Sequence, residues 1–225
     1  MDRRRPAGPD PGPRAVSYAV KELFLTVQGE GGQAGHAAVF CRFTGCNLWS
    51  GREADRAAAL CDFCDTDFVG MDGEGGGRFE TPADLARAAA SLWRGGTDGR
   101  LVVCTGGEPL LQLDAALIDA FHAEGFRIAV ETNGVLAAPA GLDWICVSPK
   151  AQTTLAQRSG QELKLVFPQR AVDPARFLDL DFERFYLQPM DGPDREANTQ
   201  AAVAYCLAHP RWRLSVQTHK YIGVP

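Results

Sequence analysis

Residues Cys46 to Thr66 read CNLWSGREADRAAALCDFCDT, and the rest of the chain is organised around them. Three cysteines fall here: Cys46, Cys61 and Cys64. Cys61-Asp62-Phe63-Cys64 is a CxxC pair, a spacing that holds two sulfurs within reach of one metal centre. Cys46 precedes the pair by fourteen residues of helical character. Ser50 with Glu53 has the form of a capping box, and Ala57-Ala58-Ala59-Leu60 continues a helical run. A short helix in this gap would return Cys46 to the pair. Three thiolates rather than four leave one iron of a cluster open to a ligand, as catalytic zinc sites keep one position open. A closed zinc site needs a fourth ligand, and neither a second CxxC nor an HxxxH is present. On this stretch alone cluster and zinc stand about level.

Working outward, the stretch lies just beyond a strand. Val20 to Leu25 reads as a first strand leading into the turn Thr26-Val27-Gln28-Gly29-Glu30-Gly31, and Ala38 to Phe43 as a second that delivers Cys46. The ends of parallel strands are where α/β sheets and barrels place their active sites. Thr81-Pro82 opens a helix through Trp93, as N-cap and first helical residue. Leu101 to Cys104 is a buried strand, and a helix over Asp114 to Glu124 stops at Gly125. Further strands are expected at Arg127 to Val130, Trp144 to Val147, Leu163 to Phe167, Phe185 to Leu187 and Leu214 to Gln217, with a helix from Glu196 to Ala208. Strands alternating with helices or long crossovers imply parallel pairing. The expectation is an α/β fold: a partial (β/α) barrel of about six parallel strands with a reduced helical complement. Residues 1–15, rich in Pro, Gly and Arg, read as a disordered tail. Residues 16–225 read as one domain, with an inserted helical loop at about 49–60.

At 225 residues and 45% hydrophobic content the chain fills one α/β core. A net charge of −5 argues against nucleic acid as the main partner, and no apolar run approaches a membrane span. Seven cysteines without a signal peptide point to the cytoplasm, where thiolates stay free for metal.

Four strands end in polar clusters: Thr105-Gly106-Gly107-Glu108-Pro109, Glu131-Thr132-Asn133-Gly134, Ser148-Pro149-Lys150 and Gln188-Pro189-Met190-Asp191. Singly, each reads as turn chemistry. Together on one rim with the cysteines they read as a small-molecule site. Gln28, Arg42 and Lys150 are donors suited to a carboxylate or heterocycle.

CDFCDT followed by TGGEP, ETNG, VSPK, QPMD and QTHKYIGVP resembles the radical S-adenosylmethionine enzymes, and within them the 7-carboxy-7-deazaguanine synthase family. LTVQGEG at Leu25 to Gly31 and CRFTGCNL belong to the same pattern, which runs from about Tyr18 to Pro225. One departure stands out: the superfamily's usual Cx3Cx2C is here Cx14Cx2C. Cys41 is an alternative first ligand, but Gly45-Cys46-Asn47-Leu48 carries the family context and Cys41 lies within a strand. Cys104, Cys146 and Cys206 occupy apolar runs and read as core.

The resemblance implies that Cys46, Cys61 and Cys64 bind a [4Fe–4S] cluster whose open iron takes S-adenosylmethionine. A 5′-deoxyadenosyl radical would then abstract hydrogen from C6 of 6-carboxy-5,6,7,8-tetrahydropterin, and ring contraction with loss of ammonia would give 7-carboxy-7-deazaguanine. It implies that Gly107, Ser148, Pro149, Lys150, Gln188, Pro189, Met190 and Asp191 contact S-adenosylmethionine, with Phe63 near its adenine. Val27, Gln28, Gly29, Arg42, Thr105 and Pro225 would hold the pterin, and Thr66 would ligate Mg²⁺. A flavodoxin-type reductant and a homodimer are further implications. His219 reads either as a donor near Pro225 or as a core histidine. The inserted segment reads as structural, or as a reductant-docking surface presenting Arg52 and Arg56.

Overall fold

The computed structural model describes residues 17–225, so the expected tail over 1–15 lies outside it. Nine strands form one sheet: β1 (Tyr18–Val27), β2 (Ala37–Phe43), β3 (Gly77–Phe79), β4 (Leu101–Gly106), β5 (Arg127–Thr132), β6 (Trp144–Val147), β7 (Ser159–Phe167), β8 (Asp181–Pro189) and β9 (Trp212–Leu214). Their order is β3-β1-β2-β4-β5-β6-β7-β8-β9. β1 pairs antiparallel with β2 and β3, and every pairing from β2 to β9 is parallel. The sheet stays open, with β3 and β9 at its edges. Leu101-Val102-Val103-Cys104 is buried on both faces, as the continuous apolar run of a parallel strand requires.

The α-helices are α1 (Pro82–Leu92), α2 (Ala115–Ala123), α3 (Arg195–Ala208) and α4 (Thr218–Ile222). The Thr81 hydroxyl accepts the Asp84 N–H at 3.1 Å, forming the expected cap, and Asp114 caps α2 by accepting that of Leu117 at 2.9 Å. α1 and α2 cover one face of β1, β2, β4 and β5, while α3 packs on β8 and β9. The β5–β6 and β6–β7 crossovers contain no helix, and β7–β8 carries one 3-10 turn, Pro174–Phe177. This is the reduced helical complement expected. No helix among the described residues is long and apolar enough to cross a membrane.

Period-two alternation then sorts the side chains. Val39, Cys41, Val102, Cys104, Ile128 and Val130 face the helices, and Leu163 and Leu165 enter the core under α3. The intervening positions put Arg42, Thr105, Glu131, Lys164 and Gln188 on the opposite, concave face. Smaller apolar residues, among them Ala38, Val103 and Ala129, floor that face.

Three local expectations need correction. β3 was not expected, because three residues beside a glycine run carry no periodic signal; they form a strand by pairing with Tyr18 to Val20. The last strand is Trp212–Leu214 rather than Leu214 to Gln217. Ser215 instead turns under the cavity: its N–H reaches the Leu187 carbonyl at 2.9 Å, and its hydroxyl accepts the Gly31 N–H at 2.9 Å. Ser50 and Glu53 form no capping box. The inserted segment is a 3-10 helix, Glu53–Ala58, capped at Arg52 without a side-chain bond, and Ser50 spends its hydroxyl on Asp55 at 2.6 Å.

Candidate active site

A cavity of about 390 Å³ opens at the C-terminal ends of the parallel strands. Cys46, Cys61 and Cys64 line it, and the four strand-end clusters surround them. Cys41 faces the helix-side core, fully buried, so alternation along β2 separates it from the cavity that Cys46 reaches. All seven cysteines are free. Cys104 is core, as expected. Cys146 instead lies beside Glu131 and Glu162, and Cys206 is only half-buried on α3.

The segment after β4 fixes where Cys46 lies. A Cβ on Gly107 would run into the Gly45 carbonyl oxygen and come within 2.9 Å of the Cys46 Cβ. Gly106 has φ 137° and is equally closed against Phe43. Glycine is therefore required where this strand end crosses the start of the cysteine loop. Glu108 does not line the cavity. It is fully buried and accepts from the Thr132 hydroxyl at 2.7 Å, the Asn133 N–H at 2.8 Å and the Leu110 N–H at 3.0 Å. Burial raises its pKa despite these donors. Asn133 passes the link on, donating to the Asn47 side chain at 2.7 Å.

The three thiols differ in how readily they ionise. Cys61 donates to Cys64, and that hydrogen bond holds the Cys64 thiol down at about 6 against burial, with the Thr66 backbone helping. The same bond, reinforced by burial, pushes Cys61 up. Burial raises Cys46, opposed by the backbone N–H groups of Leu48 and Trp49 that point at its sulfur. Among the described residues, the one trio of such side chains with ligand atoms all within 4.8 Å of one another is Glu131, Cys146 and Glu162. Cys46, Cys61 and Cys64 are not such a trio, though all three line the cavity. The Lys164 ammonium near the acidic trio supplies the positive charge that a cation would.

Around the thiols lie Phe63, Thr105, Gly107, Ser148, Lys150, and Gln188 to Asp191, with Gln28, Arg42 and Thr66 further along the wall. Lys150 is held by the Ser148 carbonyl and hydroxyl at 2.9 and 2.8 Å, and lies 5.8 Å above the Phe63 ring. Arg42 pairs with Glu22 through Nε at 2.6 Å, leaving the rest of its fork for a ligand. Thr66 is flanked by Asp65 and Asp67, which are engaged by Lys220 at 2.8 Å and Lys21 at 2.9 Å. A Mg²⁺ here would take one protein hydroxyl and complete its shell with water and substrate oxygens, which suits that ion.

Four expected residues do not line the cavity. Val27 closes β1 half-buried. Gly29 is covered by the His219 ring, and its carbonyl accepts from the Thr218 N–H at 3.0 Å and hydroxyl at 2.8 Å. Pro149 is buried, its carbonyl bonded to Gln169 at 3.1 Å. The Pro225 carbonyl oxygen accepts from Thr26 at 2.9 Å, one residue before Val27. These residues shape the wall from behind. His219 belongs to the wall itself and not to the core, with its pKa lowered by burial.

The structure adds a group that sequence reasoning missed. Lys164 donates to Glu30 at 2.6 Å and Glu131 at 2.8 Å on the concave face, with its side chain 4% exposed. Gln217 and Gln28 extend the network to Glu30 and Glu131 at 2.9 and 3.3 Å. Burial pushes Glu30 up, but Lys164 and Gln217 overcome it and hold the carboxyl at about 2. For Glu131 burial wins, and its pKa is raised. One signal was available: a lysine amid Leu163, Leu165 and Val166 must find carboxylates inside.

Residues 55–153 match the Radical SAM superfamily, beginning inside the inserted segment. A 7-carboxy-7-deazaguanine synthase of Caulobacter vibrioides is 74% identical over 93% of this chain and 100% of its own length. Proteins of the same name from Bordetella pertussis and Burkholderia multivorans are 64% and 60% identical, each over 93% of this chain and 100% of their own. A crystal structure of QueE from Escherichia coli superposes with a TM-score of 0.67 at 26% identity, covering 89% of this chain and 94% of that one. Matched along the whole length of these three curated relatives, the chain belongs to the 7-carboxy-7-deazaguanine synthase family of radical SAM enzymes.

Proposed function

We propose that the chain converts 6-carboxy-5,6,7,8-tetrahydropterin to 7-carboxy-7-deazaguanine with loss of ammonia, in 7-deazapurine (queuosine) biosynthesis. The observation that carries this is the convergence of three free thiols and four strand-end clusters on one cavity. Cys46, Cys61 and Cys64 would hold a [4Fe–4S] cluster, which together with S-adenosylmethionine would supply the radical chemistry for hydrogen abstraction at substrate C6.

The residues divide the remaining work. The bare backbone at Gly107 lets the S-adenosylmethionine amino group approach. Ser148, Lys150 and Gln188 to Asp191 hold its polar parts, Pro149 braces that rim, and Phe63 faces the adenine. Arg42 and Gln28 offer donors to the pterin carboxylate and ring, Thr105 adds a hydroxyl, and Thr66 presents Mg²⁺. Val27, Gly29 and Pro225 set the far wall. Lys164 and Glu30 stay ionised at neutral pH, while burial raises the pKa of Glu131 beside them. Residues 16–225 act as one catalytic domain. A flavodoxin-type reductant, a homodimer and a cytoplasmic location complete the proposal, the last supported by seven free cysteines.

The test is anaerobic reconstitution followed by dithionite, S-adenosylmethionine, Mg²⁺ and the pterin. Both 5′-deoxyadenosine and 7-carboxy-7-deazaguanine are expected, and both vanish when Cys46, Cys61 or Cys64 becomes Ala. Deoxyadenosine without deazaguanine rejects the substrate, and a colourless zinc protein rejects the whole reading.

A further inference from the structure

Arg56 belongs to the 3-10 segment Glu53–Ala58, in which no residue is buried, and its sequence context is that of a surface arginine. Its side chain is nevertheless held through Nε, Nη1 and the face of the guanidinium. Nε donates to both carboxylate oxygens of Glu53, at 2.8 and 2.9 Å. Nη1 crosses to the CxxC turn and donates to the carbonyl oxygens of Asp62 at 2.8 Å and Cys64 at 3.0 Å. The guanidinium carbon lies 4.2 Å from the centre of the Trp49 ring. Trp49 is itself buried, packed edge-on against Phe68 at 5.5 Å, and its indole N–H donates to the Arg52 carbonyl at 3.2 Å.

We propose that Arg56 is a positioning residue for the cluster, tying the chain just after Cys46 to the backbone that carries Cys61 and Cys64. This rests on reading the loop as a cluster site. A fourteen-residue gap costs more entropy to close than a three-residue one, so something within it must hold the ends together. The planar fork of one guanidinium meets a carboxylate, two carbonyls and an aromatic face at once, which a lysine ammonium does not reproduce. The engagement also withdraws Arg56 from the exposed docking surface read from the sequence.

The experiment compares wild-type, Arg56→Gln, Arg56→Lys and Glu53→Gln proteins. Each is reconstituted anaerobically with iron and sulfide, reduced with dithionite, and read by iron content and by the electron paramagnetic resonance of the reduced cluster. Both Arg56 variants should hold several-fold less iron and give a broadened, shifted spectrum. Their cluster-free forms should melt with the wild type, because the segment buries nothing. Glu53→Gln keeps the two carbonyl bonds and should stay close to wild type. Wild-type iron and spectrum in Arg56→Gln overturn the proposal. So does a loss in Glu53→Gln equal to that in Arg56→Gln, or a melting loss in the cluster-free Arg56 variants that accounts for the missing iron. A wild-type protein that takes up no cluster overturns the underlying reading instead.

Discussion

The Glu108 carboxylate accepts the backbone N–H of Asn133 at 2.8 Å, joining the ends of β4 and β5 beneath the cavity. A buried acceptor shared by three donors is costly to remove, since each orphaned donor loses about 1–3 kcal/mol. Glu108→Ala should therefore lower the stability of the protein by about 3 kcal/mol or more. Urea titration measures this, and an unchanged midpoint would contradict it.

Lys164 neutralises two carboxylates at once, and Lys164→Met leaves them facing each other in a low-dielectric site. Breaking a buried pair from one side costs about 3–5 kcal/mol. Adding Glu30→Gln should recover part of the loss, and a double-mutant cycle over Lys164 and Glu30 measures the coupling. Simple additivity would show that the two do not interact.

Acid should act through Glu30. Its folded pKa is about 2 against an ordinary 4.5, so the native state binds fewer protons than the unfolded chain between those values. The stabilisation is complete above pH 4.5 and is lost as the pH falls towards 2. Glu30→Gln should flatten this acid limb while lowering stability at pH 7. Unfolding midpoints of both proteins across the acid range check it, and parallel curves would refute it.

Gly107→Ala should displace the cysteine loop, because the new Cβ meets the Gly45 carbonyl and the Cys46 Cβ. The expected result is a reconstituted protein with S-adenosylmethionine affinity reduced by roughly tenfold or more, equivalent to about 1.4 kcal/mol. Isothermal titration with S-adenosylmethionine reads it directly. An affinity equal to wild type would mean that the loop tolerates the methyl group.

Local chemistry made much of this legible. Thr81 and Asp114 mark helix starts because each side chain caps a nearby N–H. The strand-end clusters stand out because small and polar residues interrupt apolar runs. What stayed hidden depends on distant partners. Lys164 meets Glu30 across 134 positions, and no local pattern joins them. Gly77 to Phe79 is a strand only because β1 has a free edge there. Ser50 and Glu53 matched a capping pattern, but Asp55 took the serine hydroxyl and Arg56 took the glutamate. The side-chain competition within one turn decided that outcome.

The hydrogen bond from the Thr218 hydroxyl to the Gly29 carbonyl spans 189 positions and seals one wall of the cavity. On the ribosome this imposes an order of events. At about 5–20 residues per second, Thr218 is made roughly 8–30 s after Cys64. During that interval the three cysteines exist without the wall that α4 completes. The cavity that holds the three thiols is therefore unsealed on this side until the last helix is made.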